Sequence, residues 1–165
     1  MIRAVQPEDG EELAALYAAN REFLAPFEPV RPPEFFTPEG QRERLQRQLE
    51  GETHPFVILD GNAIAGTVNL FGIVRESLQS GVIGYWVDAT RNGRGLATAA
   101  AGEILAYAFG ILELHRVEAA TLVDNVPSQR VLEKNGFDRI GLARKFLRID
   151  DEWRDFLLFQ RIADD

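Results

Sequence analysis

The chain has 165 residues, of which 45% are hydrophobic and 27% are charged, a composition typical of one globular domain. With 18 Lys and Arg against 26 Asp and Glu, the formal net charge is −8, which argues against broad binding to a nucleic-acid backbone and predicts no nucleic-acid partner. The absence of cysteine excludes a disulfide framework, thiolate zinc sites and a cysteine nucleophile.

Membrane, secreted and metal-binding classes are also disfavoured. No apolar run approaches the roughly 18 residues of a membrane-spanning helix, and the N-terminus lacks the apolar stretch of a signal peptide. We therefore predict a cytoplasmic protein with no membrane partner. The two histidines, His54 and His115, lie far apart in the sequence, so we predict no metal site.

The first part of the chain predicts a strand, two helices and an aromatic segment between the helices. In order, these are a strand at residues 2–5, a helix from Pro7, an aromatic, proline-rich segment at 23–37, and a charged helix from 38 to about 50. Thr37 is the expected N-cap of the second helix, and Leu45 and Leu49 are its expected apolar stripe. The aromatic segment has too many prolines for regular structure, and its rings either pack on the core or line a substrate site.

The rest of the chain predicts an antiparallel meander, a crossover and a final hairpin. The meander strands are residues 55–60, 63–75 and 81–88. The crossover is a helix at about 94–109 followed by a strand at 116–123. A short helix follows at about 126–135, and the hairpin strands are residues 137–149 and 153–162. Short turns join antiparallel strands, whereas a strand–helix–strand crossover joins parallel ones. We therefore predict one α/β domain, residues 1–165, with a mixed, mostly antiparallel sheet that has one parallel step.

Residues 88–98 (Asp-Ala-Thr-Arg-Asn-Gly-Arg-Gly-Leu-Ala-Thr) are the most informative segment, because they place two glycines and two arginines between a strand and a helix. The first N–H groups of a helix have no internal partner, and glycines let a diphosphate approach them closely. Arg91 and Arg94 would add local positive charge. The segment lacks the P-loop pattern and the third glycine of the dinucleotide fingerprint, and its meander context does not fit repeated βαβ units.

Three runs resemble the GNAT N-acetyltransferases, in particular the RimJ/RimL-like branch that acetylates ribosomal-protein N-termini. Residues 92–97 look like the Gln/Arg-x-x-Gly-x-Gly/Ala loop that binds the acetyl-CoA pyrophosphate. Residues 124–137 look like the Asn-x-x-Ser and Gly-Phe segment of the RimJ/RimL-like branch. Residues 83–87 (Ile-Gly-Tyr-Trp-Val) are typical of a strand in the same branch. The resemblance implies the GNAT fold, an α/β (α+β) domain with a mixed, mostly antiparallel seven-stranded sheet and about four helices on its two faces.

The resemblance also implies a role for each matched position, with acetyl-CoA as co-substrate. The implied cofactor-binding residues are Val87, Asn92, Gly93, Arg94, Gly95, Leu96, Ala97, Thr98 and Asn125. Ser128 would be the catalytic acid that protonates the departing CoA thiolate. The implied substrate-lining residues are Phe27, Glu28, Tyr85 and Thr121. From the residues alone, Asn125 could equally be only the N-cap of the helix that begins at Val126, and Tyr85 and Trp86 must face opposite sides of their strand.

The sequence departs from the family pattern at two places. The pyrophosphate loop begins with Asn92 where Gln or Arg is usual, which puts a side-chain contact to phosphate in doubt but not the backbone contacts. The carboxylate that some members carry on the strand after the last helix is missing, because that stretch reads Lys145, Phe146 and Leu147. The base is therefore left open among Glu28, Asp88, Asp124 and a water chain.

The implied reaction is direct attack of a primary amine on acetyl-CoA, with a protein N-terminal α-amine of the ribosomal-protein type as the leading acceptor. A small amine, such as a polyamine, amino acid or antibiotic, is the alternative acceptor. A CoA-binding module without catalysis is the alternative from another functional class. The aromatic segment could also serve a homodimer.

Overall fold

The computed structural model describes residues 1–164 as a seven-stranded sheet with helices packed on both faces. The strands are β1 (Ile2–Ala4), β2 (His54–Asp60), β3 (Ala63–Val74), β4 (Ser80–Val87), β5 (Arg116–Leu122), β6 (Asp138–Ile149) and β7 (Glu152–Ile162). The α-helices of the described residues are α1 (Gly10–Ala19), α2 (Arg21–Leu24), α3 (Pro38–Glu50), α4 (Leu96–Gly110) and α5 (Val126–Lys134). The predicted domain ends at Asp165, which lies outside the described residues.

The sheet has the predicted mixed character, with strand order β1-β2-β3-β4-β5-β7-β6. Every neighbouring pair is antiparallel except β4 and β5, which are parallel because the crossover through α4 joins them. The final hairpin joins the sheet through its second strand, so that β7 pairs with β5 and β6 forms the edge. Within residues 1–164, no helix has the length and apolar content needed to cross a membrane.

The parallel pair separates soon after it forms. Only three residue pairs join β4 to β5, between residues 80–82 and 116–118. Beyond them β4 remains paired with β3, while β5 follows β7 through Leu122. The edges of β4 and β5 that face each other therefore carry backbone groups without a strand partner, and a cleft opens between residues 83–87 and residues 119–122.

Gly66 shows why a glycine is needed beside this cleft. The register of β2 with β3 shifts between Ile58 and Leu59, which marks a β-bulge. A Cβ on Gly66 would lie 2.1 Å from the carbonyl oxygen of Trp86 on β4, which is far inside van der Waals contact. Only glycine therefore allows β3 and β4 to approach this closely where β4 ends.

Two hydrophobic clusters pack on the two faces of the sheet. The face under α4 and α5 is formed by buried residues that include Ile58, Val68, Leu70, Ala100, Ile104, Leu132, Leu157 and Phe159. The face under α1 and α3 is formed by Val5, Leu13, Tyr17, Leu24, Phe35, Leu45, Val57 and Ile64. The buried residues of α4 include the small Ala100, Ala101 and Ala108, which let that helix lie close to the sheet.

The apolar stripe predicted for α3 is wrong at one position. Thr37 caps the helix as predicted, because its hydroxyl accepts a hydrogen bond from the Gly40 N–H at 3.1 Å. Leu45 is 1% exposed, but Leu49 is 45% exposed near the end of the helix. The other buried position on α3 is Gln41, whose side-chain amide donates to the Phe35 carbonyl at 2.6 Å.

The aromatic segment contains more regular structure than predicted. It includes the end of α2 and two short 3-10 turns, Ala25–Phe27 and Pro33–Phe36. Proline is tolerated in the first turn of a helix, where its missing N–H would have no acceptor, so these prolines start turns rather than prevent them. Phe35 is buried against Tyr17 with ring centroids 4.7 Å apart, which realises the core-packing alternative for this ring.

Candidate active site

The cleft between β4 and β5 brings together most of the chemically interesting residues named from the sequence. Its walls come from the ends of both strands, the start of α5 and the aromatic segment. The lining residues include Phe27, Tyr85, Thr121, Asn125 and Ser128. They come from four separate stretches of the chain, which meet because β4 and β5 diverge at this level of the sheet.

Val87 points its backbone N–H into this cleft. Successive N–H groups of a strand point to opposite edges, and the next one, Asp88 N–H, donates to the Ala65 carbonyl on β3 at 2.7 Å. The Val87 N–H therefore faces the side of β5, which has already turned away at this level. The Val87 side chain is buried in the core, so the backbone is what this residue offers to a ligand.

The loop that follows β4 ends in an uncapped helix N-terminus. Helix α4 begins at Leu96, two residues later than the sequence predicts, and its N-cap Gly95 supplies no side-chain hydrogen bond. Gly93 and Gly95 have φ values of 78° and 79°, in the left-handed region that favours glycine. A Cβ on either would have no atom within 4 Å, so both glycines face open space. The free N–H groups at the start of α4 are accessible to an anion.

The two arginines of this loop are paired with acidic side chains. Arg94 contacts Asp60 through two hydrogen bonds of 2.6 and 3.3 Å. Arg91 lies 3.7 Å from the same carboxylate and 3.5 Å from that of Asp88. Asp60 is the last residue of β2, directly before the turn to β3. The positive charge expected beside a diphosphate is therefore partly balanced within the protein.

Tyr85 and Ser128 form the central side-chain contact of the cleft. The Tyr85 Oη lies 2.9 Å from the Ser128 Oγ and 3.2 Å from the Ser128 carbonyl oxygen. Burial raises the pKa of Tyr85 to about 12, although its hydrogen bond with Ser128 acts in the opposite direction. Trp86 faces the other side of the sheet, where its indole N–H donates to the Tyr17 hydroxyl at 3.0 Å. The predicted alternation is confirmed, with Tyr85 on the cleft side.

Asn125 and Thr121 flank this pair in different ways. The Asn125 Oδ1 accepts a hydrogen bond from the Ser128 N–H at 3.3 Å, so Asn125 is the N-cap of α5. Its side-chain NH₂ is not used by the cap and is left for a ligand. Thr121 is 3% exposed, and its buried Oγ1 has no hydrogen-bond partner within residues 1–164. A buried hydroxyl without a partner is costly, and a polar group bound in the cleft would satisfy it.

The three candidate base carboxylates lie in different environments. Glu28 lines a neighbouring pocket with Tyr17 and Phe36, and its carboxylate is 3.6 Å from the Arg31 guanidinium. Burial raises the pKa of Glu28, against the opposing charges of Arg31 and Arg44.

Asp88 is less suited than Glu28 to accept a proton, because its pKa is lowered. Burial alone would raise the pKa of Asp88, but hydrogen bonds from the Thr90 hydroxyl and N–H, at 2.9 and 3.2 Å, outweigh it and lower that pKa. Asp124 is exposed just before α5. Within residues 1–164, no group of three or more His, Asp or Glu side chains is placed to hold a metal ion.

Comparison with known proteins identifies the family. Residues 1–138 match the family model described as an acetyltransferase (GNAT) domain. The chain belongs to the GNAT acetyltransferases. This GNAT protein is therefore an acyltransferase that carries out N-acetylation, and the resemblance inferred from the three sequence runs is confirmed.

Individual relatives of this GNAT protein agree in sequence and in fold. It is 41% identical over 160 residues to the probable N-acetyltransferase YjcK of Bacillus subtilis (strain 168), covering 93% of this chain and 88% of the relative. The structure of the ribosomal-protein-S5-alanine acetyltransferase from Vibrio fischeri superposes with a TM-score of 0.95 at 35% identity, covering 99% and 93% of the two chains. Mycobacterium smegmatis RimJ, solved in complex with CoA-disulfide, gives a TM-score of 0.91 at 32% identity, covering 98% and 81%.

Two residues that organise this GNAT site were not singled out from the sequence. Asp60 holds Arg94, and Asn20, at the end of α1, accepts a hydrogen bond from the Ala89 N–H at 2.9 Å and so anchors the loop after β4. Asn20 is 3% exposed, although asparagine is usually a surface residue. Each contact spans a long separation in sequence, so no local pattern predicts it.

Proposed function

We propose that this GNAT enzyme transfers the acetyl group of acetyl-CoA to the N-terminal α-amine of a protein, of the ribosomal-protein type. The observation that carries the proposal is the open cleft between β4 and β5, which has an uncapped helix N-terminus beside it and the Ser128 hydroxyl on its wall. The alanine acetyltransferase of Vibrio fischeri, at 35% identity over nearly the whole chain, supports the acceptor class.

The cleft has the groups that acetyl-CoA requires. The free N–H groups at residues 93–98 suit a pyrophosphate, because the positive end of the helix dipole and left-handed glycines coincide there. The Asn92 N–H instead donates to the Ala89 carbonyl at 3.4 Å. The unpaired edge of β4 suits the pantetheine arm, which has amide groups that can add to a strand. The orphan hydroxyl of Thr121 and the free side-chain NH₂ of Asn125 suit polar atoms of the same arm. Acetyl-CoA supplies the activated thioester.

Each catalytic role then follows from position. The Val87 N–H, aimed into the cleft, polarises the thioester carbonyl, since a donor fixed in advance stabilises the oxygen that becomes negative. The Ser128 hydroxyl donates a proton to the departing sulfur. Among the three carboxylates, Glu28 is the best candidate base, because burial raises its pKa toward the pH at which the enzyme works. Glu28 directly follows Phe27, which lines the cleft, and itself lines a separate pocket with Tyr17 and Phe36, through which the acceptor amine would enter.

The protonation of the acceptor also favours an α-amine. An unperturbed α-amine has a pKa of about 7.7–8.0, so a useful fraction is neutral near pH 7, whereas a lysine amine has a pKa of about 10.4. An acceptor of the first kind needs less help from a base. This agrees with a site in which the candidate base is already engaged with Arg31.

The test is release of free CoA thiol with a panel of acceptors: peptides with alanine or serine N-termini, polyamines, free amino acids and aminoglycosides. We expect the highest kcat/KM with an N-terminal peptide. Ser128→Ala should lower kcat by at least about 10²-fold, the usual contribution of a general acid. Ser77→Ala is the matched control, because Ser77 is exposed in the turn between β3 and β4.

Each other outcome overturns a stated part of the proposal. Turnover with small amines alone would overturn the protein acceptor. Tight CoA binding without turnover of any acceptor would identify a binding module. Full activity of Ser128→Ala would remove Ser128 as the acid while leaving the acetyltransferase reaction intact.

A further inference from the structure

The Ser128 hydroxyl has a single hydrogen-bond partner among residues 1–164, and that partner is Tyr85. The two residues are 43 positions apart in sequence and meet where β4 faces the start of α5. The contact joins oxygen to oxygen at 2.9 Å, so a proton can lie on either atom. Any proton that Ser128 loses toward the cleft can therefore be replaced from Tyr85 without movement of either backbone.

Serine needs such a partner if it is to act as an acid. An aliphatic hydroxyl is a much weaker acid than a phenol, so Ser128 would become a strongly basic alkoxide in a partly buried site once its proton left. Its backbone N–H cannot help, because it donates to Asn125. The Tyr85 hydroxyl, whose pKa is about 12, keeps its proton throughout the physiological range and is the more acidic of the pair. Tyr85 is therefore a donor at neutral pH.

The second contact of Tyr85 creates two arrangements of the pair. When the Tyr85 hydroxyl donates to the Ser128 carbonyl at 3.2 Å, the Ser128 hydroxyl can donate to the Tyr85 oxygen, which turns its hydrogen away from the cleft. When Tyr85 donates to the Ser128 Oγ instead, the Ser128 hydrogen is free to point into the cleft. Only the second arrangement presents a proton to a leaving group.

We propose that Tyr85 acts through Ser128: it directs the Ser128 hydrogen into the cleft and replaces the proton that Ser128 gives to the departing CoA sulfur. The inference rests on the proposed acetyl transfer. In that step the N–C bond to the acceptor forms and the C–S bond breaks, and the sulfur takes the Ser128 proton. Ser128 takes the Tyr85 proton, Tyr85 recovers one from solvent, and the proton of the amine leaves to the base.

Tyr85 also has a packing role, which the experiment must distinguish from its role in proton transfer. Its ring packs against the core cluster under α4 and α5, and that contact survives in phenylalanine. Tyr85→Phe therefore removes only the hydroxyl. The matched control is Tyr107→Phe, because Tyr107 also uses its hydroxyl in a 2.9 Å contact, with His54, on a part of α4 away from the cleft.

The experiment compares Tyr85→Phe, Ser128→Ala and the double variant with the natural enzyme. We expect Tyr85→Phe to lower kcat by about 10- to 100-fold, with the Kd for CoA changed by less than about twofold. The double variant should be no slower than Ser128→Ala, because the two hydroxyls act as one unit. Tyr107→Phe should retain the natural kcat. Equal kcat in Tyr85→Phe and the natural enzyme, or losses that multiply in the double variant, would overturn the inference.

Two further measurements separate proton supply from a structural role. The selenoester analogue of acetyl-CoA has a more acidic leaving group that needs no proton. The loss of kcat caused by Tyr85→Phe should therefore be smaller with this analogue than with acetyl-CoA. An equal loss with both substrates contradicts the inference. If Tyr85→Phe fails to fold, 3-fluorotyrosine at position 85 keeps the ring and lowers the phenol pKa. The alkaline limb of the kcat profile should then move to lower pH, and an unmoved limb overturns the inference. An inactive natural enzyme would instead refute the proposed acetyl transfer.

Discussion

Gly95→Ala tests whether the loop before α4 binds an anion through its backbone. Gly95 has a φ of 79° and no atom within 4 Å of an added Cβ, so alanine there causes backbone strain but no clash. The left-handed conformation costs a residue with a Cβ about 1–2 kcal/mol. For a chain of 165 residues this corresponds to a fall in Tm of about 3–6 °C.

The same alanine should also weaken CoA binding. Its methyl group would stand where an anion must approach the first N–H groups of α4, and a hydrogen bond to a charged group is worth about 1.5–3 kcal/mol. The Kd for CoA, measured by isothermal titration calorimetry, should therefore rise by about 10- to 100-fold.

Gly72→Ala is the matched control for backbone strain. Gly72 has a φ of 59°, and an added Cβ would meet only the Val82 side chain, at an ordinary 3.7 Å. It lies on β3 opposite the start of β4, whereas the loop that leads into α4 follows the other end of β4. We expect a similar fall in Tm with an unchanged Kd for CoA. If Gly95→Ala lowers Tm but binds CoA like the natural protein, the loop is not the site of the pyrophosphate. If neither variant loses stability, the strain argument is wrong.

Four other substitutions test the charges and the core. Asp60→Asn should tighten CoA binding by up to about fivefold in calorimetry, because it frees Arg94 from an exposed ion pair worth about 0.2–1 kcal/mol; weaker binding would show that the pair orders the loop instead. Because burial raises the pKa of Glu28, the stability that this group contributes is present when it is protonated and is lost as the pH rises through its raised pKa. Glu28→Gln should remove that part of the pH dependence of Tm. If Glu28 is the base, the substitution should also remove the acid limb of the pH profile of kcat/KM, and an unchanged acid limb assigns the base to another group. Leu45→Ala should cost about 2–5 kcal/mol in urea unfolding and Leu49→Ala less than about 0.5 kcal/mol, and equal costs would contradict the burial difference.

The features that sequence could predict are those set by neighbouring residues. Thr37 caps α3, and Gly136 ends α5 with a φ of 74°, because a capping hydroxyl and a left-handed glycine act within one turn of the chain. The glycines beside α4 were identified for the same reason. The family resemblance also rests on such short runs, so the overall fold followed from them.

The features that sequence could not predict depend on distant partners. The Tyr85–Ser128 and Asp60–Arg94 contacts exist only once the sheet has assembled, and neither spacing leaves a periodic signal. Leu49 is predicted to be buried because its spacing from Leu45 fits a helical stripe, but it is exposed. The buried polar side chain of Gln41 occupies the inner face of α3 instead, and its hydrogen-bond partner, the Phe35 carbonyl, lies outside that helix.

The three residue pairs that join β4 to β5 give the sheet a mechanical weak point. Strands β1–β4 form one part of the sheet and β5–β7 the other. Beyond residue 82 the two parts are connected by helices rather than by hydrogen bonds between strands. A ligand that lies along the exposed edge of β4 and reaches α5 would connect these two parts of the sheet. Occupancy of the cleft should therefore stiffen the whole sheet, and amide hydrogen exchange at residues 83–87 and 119–122 should slow together when CoA binds.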